Sequence, residues 1–496
     1  MLHPGQATDA ATKAYADRCW QANPRLSPDG WRDLQGLTVA KVGLGTYRFD
    51  GDGQQAEAFQ HALTHGINLI DTASNYMDGA AETFIGQQLA ALFEAHTLQR
   101  EEVVIISKAG YLQGQNLARW QATPPAEVVQ LSDQLWHCIH PDFLHDQLEQ
   151  SRRRLQLTTL DGMLLHNPEY FLEAAHHHQT PLPEARETFY QCLTAAFTYL
   201  EQACREGRLQ FYGLSANTLG MPAEHPLHID LAQVFEAAQA AAQAAWGRRK
   251  RPLFRLLQLP FNMLETGAVD CANTTAKTFN GTEPVTTLEL ATRMRLSVFA
   301  NRPLNAFTES SPWRLADAPA EAPDLAAASA ALAAQEAALT LWPVDTTGQP
   351  LTQLSAVATE LAAQLQGGMH YDQIYQRLLR PNLTLLQAAC DDAAQCQALT
   401  AAYTQVCAAL RAQTAQQDAA RLAPLRRQLM PALPPPWRTA PLQQIALNAV
   451  ASTPGITSVL CGLRRPAYVA DALAVLEAGD LADVGPLFQP PQQVAG

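Results

Sequence analysis

Four ionisable side chains draw attention because each closes, or closely follows, a short apolar run. INLID ends on Asp71, and Tyr76 follows in the polar stretch TASNYMDG. VVIISK ends on Lys108, and LDGMLLH ends on His166. Taken singly, each could be structural. Several converging are hard to assign to packing, because unpaired buried charge is costly. The chemistry open to such a set is proton transfer. A phenol titrates near 10 and is a poor acid at neutral pH. An adjacent ammonium favours its phenolate, and a carboxylate holds that ammonium in place.

These groups act together only if the fold carries their strand ends to one edge. Apolar β-branched runs recur at 37–43, 67–71, 103–107, 160–165, 209–214, 256–260, 296–300 and 456–461. Helical patterns at 54–64, 81–93, 141–155, 186–206 and 442–452 alternate with them. Continuous apolar strands alternating with helices imply a parallel sheet covered on both faces. Eight strands close a barrel whose carboxyl ends share one rim. Asp71, Lys108 and His166 then face the same opening.

The spacing is uneven, with the excess lying between Asn305 and Ala440. Helical patterns fill it at 325–341, 354–365, 371–379 and 383–410, with Gly367-Gly368 expected to stop the second. PALPPPW at 431–437 reads as a rigid polyproline connector. The chain therefore divides into an N-terminal extension (1–35), barrel strands one to seven (36–304), an all-helical insertion (305–440), and a final helix-strand unit with its tail (441–496).

Composition narrows the function classes. Of 496 residues, 47% are hydrophobic, enough for a large core. A net charge of −13 argues against a nucleic-acid or anionic-membrane surface. No apolar stretch is long enough to span a bilayer, and the first residues lack the pattern of a secretion signal. Nine scattered cysteines without a CxxC pair suit reduced thiols and a cytoplasmic location. Cys390 and Cys396 read as helix-face residues, and His176-His177-His178 as a solvated loop rather than metal ligands. Trp120, Trp136 and Trp313 are read as packing or pocket lining. Gly43-x-Gly45 lacks the third glycine of a Rossmann fingerprint.

The sequence resembles the aldo-keto reductase superfamily. The resemblance rests on Asp71-Thr72-Ala73, Tyr76, Gly79, Glu82 and Gly86, on KVGLGTYRF, LLHNPE, GRLQFYGLSAN, LLQLPFNML and ANRPLNAF, and on PGITSVLCGLRRPAYVADAL. It implies that Asp71, Tyr76, Lys108 and His166 form a catalytic tetrad. Tyr76, its pKa lowered by Lys108, would protonate a carbonyl oxygen as hydride reaches the carbon, and His166 would orient that carbonyl or share the acid role. The hydride must come from a cofactor. By resemblance, Ser215, Asn217 and Gln258 hold a nicotinamide carboxamide, with Gly45 and Thr46 on the same floor. Arg464 and Arg465 would grip an adenosine phosphate, with Asp471 at the place of the family's acidic partner. Leu463, Ala472 and Asn301 depart from the family pattern.

The expected fold is an α/β (β/α)8 TIM barrel with a large helical insertion between strand 7 and the final helix-strand unit. The expected function is NADP(H)-dependent reduction of a small aldehyde or ketone to an alcohol, or the reverse, with NAD(H) the less favoured cofactor and self-association open. The competing reading is a catalytically silent nucleotide-binding barrel that acts as a regulatory protein through its insertion. The insertion itself is expected to serve as a wall or lid of the active site, against the alternative of an association module.

Overall fold

The computed structural model describes residues 2–49, 51, 53–247, 250–307, 312–319, 321–345 and 347–488. Eight parallel strands close a barrel: β1 (Val42–Gly45), β2 (Leu69–Asp71), β3 (Val104–Ala109), β4 (Leu160–His166), β5 (Leu209–Ser215), β6 (Phe254–Pro260), β7 (Ser297–Asn301) and β8 (Ile456–Cys461). Each pairs with its sequence neighbours, and β8 pairs with β1. Between and after them run α1 (Gly53–Thr64), α2 (Ala80–Glu94), α3 (Pro141–Leu155), α4 (Leu182–Arg205), α5 (Leu231–Trp246), α6 (Thr287–Arg293), α7 (Leu442–Ala451) and α8 (Pro466–Glu477). Leu69, Ile106, Leu164, Leu256, Phe299 and Leu460 fill the barrel interior. Leu34, Leu37 and Val39 join the same cluster from the chain ahead of β1.

The first apolar run is not one strand. Leu37–Ala40 pairs antiparallel with Trp31–Leu34, and β1 starts only at Val42. The connecting Gln35 and Gly36 have φ of 53° and 96°, the left-handed geometry of a tight hairpin turn. Lys41 separates the two strands, buried with its ammonium on Asn448, Ala478 O and Asp480. Helices that were not expected include one at Asp9–Ala22 capped by Thr8, the Ala-rich α5, and α6 with its Thr286/Glu289 capping box.

Leu304–Ile445 forms a second compact unit. Its helices Leu325–Ala337, Leu354–Gln364, Gly367–Ile374, Arg380–Ala388 and Ala393–Leu429 enclose a core that includes Leu332, Ala358, Leu399, Tyr403, Val406 and Leu410. It is not all helical, since Asn305–Phe307 pairs with Pro312–Arg314. Gly367 does not act as a stop signal. The preceding helix ends at Gln364, and Gly367, with φ of 80°, opens the next one. PALPPPW is not polyproline either. It forms the short 3-10 turns Met430–Ala432 and Pro435–Thr439, because proline's fixed φ also suits the first residues of a helical turn. Asp317 clasps the two ends of this unit, accepting from Arg426 and from the Leu442 amide at 3.1 Å.

Candidate active site

The strand ends deliver their side chains to one rim. Asp71 and His166 are the last residues of β2 and β4, and Lys108 is the penultimate residue of β3. Gly45, Ser215 and Asn301 end β1, β5 and β7. Register confirms the alignment: Gly45 lies opposite Asp71, and Ser215 opposite both His166 and Gln258. Thr46 ties β1 to β2, its amide and hydroxyl both donating to the Asp71 carbonyl at 3.0 and 2.9 Å.

Tyr76 reaches the same place from a strained turn. Met77 and Asp78 have φ of 50° and 54°, followed by Gly79 at 88°. Left-handed geometry costs a non-glycine residue roughly 1–2 kcal/mol. The neighbouring structure holds the turn, since Asp78 accepts the Gln115 amide at 3.1 Å. Glu82 and Gly86 of the same motif are structural. Glu82 is buried between Ser107 and Arg154. A Cβ at Gly86 would lie 2.3 Å from the Arg154 carbonyl oxygen, so α2 and α3 pack only over a bare Cα.

A hydrogen-bonded line joins the functional groups. Lys108 Nζ donates to Tyr76 OH at 3.1 Å, to Asp71 Oδ2 at 2.8 Å and to Thr72 O at 2.9 Å. Gln258 Nε2 donates to Asp71 Oδ1 at 2.8 Å, and Ser215 Oγ donates to Gln258 Oε1 at 3.0 Å. His166 meets Tyr76 edge-on, ring centroids 5.8 Å apart. Asp71 and Tyr76 hold Lys108 above its ordinary range despite burial, so it stays an ammonium. Burial pushes the His166 imidazole well below its ordinary value, with Lys108 adding to the effect, so it is neutral.

The expected lowering of the Tyr76 pKa is only part of the balance. Burial raises it, Lys108 opposes, and the net direction is up. Tyr76 therefore holds its proton at neutral pH. Gln258, expected at a carboxamide, has its own amide engaged by Asp71 and Ser215 in this structure. Asn217 has an exposed side chain, and its main-chain N–H donates to Glu169 Oε1 at 2.7 Å.

Arg464 and Arg465 follow β8 after Gly462 and Leu463, half-buried and exposed respectively, with Arg465 as the N-cap residue of α8. Asp471 lies half-buried within that helix. Leu463 and Ala472, the departures from the family pattern, are fully buried.

Several site residues were missed. Tyr111 packs edge-on against His166 at 4.8 Å and accepts from Asn167 at 2.6 Å. His137 is bonded through Nε2 to the His166 carbonyl at 2.8 Å. Both stand in a small sheet of Tyr111–Leu112, Val129–Ser132 and Leu135–His137 between β3 and α3. Tyr47 packs edge-on against Tyr76. The only sequence trace of this sheet is the brief polar-apolar alternation in QLSDQLWHC, which includes His137 but neither tyrosine. Trp120 and Trp136 pack with Leu112, Leu117 and Phe143, and Trp313 is buried beneath Arg421 within the second unit. His176 and His177 are exposed in the last turn of a helix, Tyr170–His177, rather than in a loop.

A closed barrel with Asp71, Tyr76, Lys108 and His166 gathered at its carboxyl rim is the frame within which similarity to known proteins falls. The sequence profile of the Aldo/keto reductase family matches residues 41–225, from the start of the barrel through β5. Over that stretch the chain is similar to the aldo-keto reductases. An NADH-specific methylglyoxal reductase of Escherichia coli (strain K12) is 28% identical over 139 residues, 26% of this chain and 39% of that protein. Aldose reductase C of Dictyostelium discoideum is 29% identical over 86 residues, 17% of this chain and 26% of that one. The chain thus matches well under half the length of these relatives. Among solved structures, an aldo-keto reductase of Bacillus halodurans is 15% identical with a TM-score of 0.44, covering 94% of this chain and 96% of that one. A glycerol dehydrogenase of Gluconobacter oxydans is 15% identical with a TM-score of 0.45, covering 91% and 92%.

Proposed function

We propose that this protein is an NAD(P)H-dependent aldo-keto reductase that interconverts a small carbonyl compound and its alcohol. The observation that carries the reading is the Tyr76–Lys108–Asp71 line, with neutral His166 beside it, at the barrel rim. The rim suits a polar guest. His166 Nδ1 and Asn301 Oδ1 are buried there without a protein partner, as are the hydroxyls of Ser74 and Thr218. Ser215, Asn217 and Gln258, with Gly45 and Thr46 below, are the residues that would hold a nicotinamide, and Arg464 and Arg465 a phosphate of its adenosine end. When bound, the nicotinamide supplies the hydride.

The chain's own residues handle the proton. Tyr76 keeps its O–H at neutral pH and can release it to an oxygen that gains negative charge. Lys108, 3.1 Å from that oxygen and held as an ammonium, stabilises the phenolate left behind. Asp71 fixes the ammonium, and Gln258 fixes Asp71. His166, neutral, can donate one hydrogen bond to a carbonyl oxygen without competing as an acid. In the reverse direction the same pair accepts the proton.

NADP(H) is our preferred cofactor, on the strength of the two adjacent arginines; the E. coli relative is named for NADH, which makes the choice a direct experimental question. The reading is tested with Tyr76→Phe. Nicotinamide oxidation against a panel of aldehydes and ketones should be measurable in the unsubstituted protein and fall by at least about a hundredfold in the variant. Cofactor affinity should stay within about threefold, since only one hydroxyl is removed. A silent barrel acting through its insertion would bind nucleotide but oxidise none with any carbonyl offered.

A further inference from the structure

Among the described residues, Glu169 is a buried carboxyl beside the rim that the tetrad does not use. It precedes the helix Tyr170–His177, only 4% exposed. Its Oε1 accepts the Asn217 main-chain N–H at 2.7 Å, while its Oε2 is buried without a partner. A second bond runs the same way: the Asn167 N–H donates to the Ser215 carbonyl at 2.7 Å. The loop after β4 therefore grips the segment Ser215–Ala216–Asn217 at both ends, and that segment carries two of the residues assigned above to the cofactor.

We propose that Glu169 is a positioning residue whose carboxylate clamps the Asn217 amide and so holds the Ser215–Asn217 segment in its cofactor-gripping shape. The proposal rests on the reading that this segment faces the nicotinamide. A bond to a charged acceptor is about twice as strong as one to a neutral acceptor, so the clamp weakens when the carboxyl takes a proton. Burial raises the Glu169 pKa to about 7, which brings that change into the neutral range. The groups facing it are Glu173 one turn further along its own helix, Arg302 after β7, and the phenols of Tyr111 and Tyr170. Arg302 favours the charged form, but it is already paired with Glu265 at 2.6 Å. The sign follows: the clamp is firm above pH 7 and loosens below it.

The test is NADPH binding, followed by protein fluorescence between pH 6 and pH 8 on the full chain. The unsubstituted protein should bind several-fold more tightly at pH 8 than at pH 6. Glu169→Gln keeps the shape and an acceptor oxygen but cannot titrate, so this step should vanish from its profile. Glu169→Ala should bind about tenfold more weakly at pH 8. Glu169→Asp, charged but too short to reach the amide, should be weak at both pH values, which supplies the same answer if the alanine variant does not fold. Titration of the cofactor's own phosphate is common to all variants and cancels in the comparison. Superimposable profiles for the unsubstituted protein and Glu169→Gln would overturn the clamp alone. No NADPH binding by the unsubstituted protein would overturn the nucleotide reading, and the clamp with it.

Discussion

Replacing Lys108 by Met removes an ammonium that touches Tyr76 at 3.1 Å and Asp71 at 2.8 Å. At an effective dielectric of about 20, two unit charges about 3 Å apart interact by about 5 kcal/mol. If half the phenolate charge has developed in the transition state, roughly 2–3 kcal/mol of stabilisation is lost, a fall in kcat of about a hundredfold. Lys108→Met also leaves the buried Asp71 with Gln258 as its remaining side-chain donor, at a cost of about 3–5 kcal/mol in stability. The double variant Asp71→Asn/Lys108→Met removes both charges. It should regain most of that stability in denaturant unfolding while staying about a hundredfold slow in steady-state nicotinamide oxidation. The pairing of the two measurements separates folding from catalysis. A double variant with near-normal kcat would refute the role of the ammonium, since the phenol would then be acting without it.

Two further outcomes follow from the same geometry. Arg464→Ala/Arg465→Ala should weaken NADPH by about 2–3 kcal/mol more than NADH in parallel binding titrations, and equal losses would remove the arginines from phosphate recognition. His137 is buried against the His166 carbonyl, and its pKa is pushed down to about 4, burial outweighing that bond. The unfolded chain takes up its proton below about pH 6.5 and the folded chain does not. Stability should therefore fall with pH by about 2 kcal/mol between 6.5 and 5 on this account, and His137→Gln should lose that part of the slope in urea unfolding. A slope unchanged in the variant would show that His137 is not buried neutral.

Strand ends were legible because a buried parallel strand is a continuous apolar run, and a polar residue at its carboxyl end stands out. Asp71, Lys108 and His166 are of that kind. Residues set by turns and inserted strands were not. Tyr111 and His137 sit in short strands whose alternation is too brief to register, and Glu169 follows a Pro in a loop. The Leu37–Gly43 run misled because one apolar stretch holds two strands divided at Lys41, the first paired back across the turn at Gln35-Gly36 and the second in the barrel. The phenol's net pKa direction was out of reach for a different reason. Its sign depends on whether enclosure or the ammonium dominates, and enclosure is a property of the packed rim.

The Asp317 clasp bears on how the barrel closes. β7 and β8 must pair across an insertion of about 140 residues, and joining the ends of a flexible chain of that length costs about 2 kcal/mol more than joining a loop of about ten. Once Leu304–Ile445 has formed its own core, Asp317 near its entry is bound to Arg426 and Leu442 near its exit. The long connection then behaves as a short one. Assembly of the insertion ahead of β8 would turn the slowest pairing of the sheet into a nearly local event, and the last strand would meet β1 and β7 with its search already narrowed.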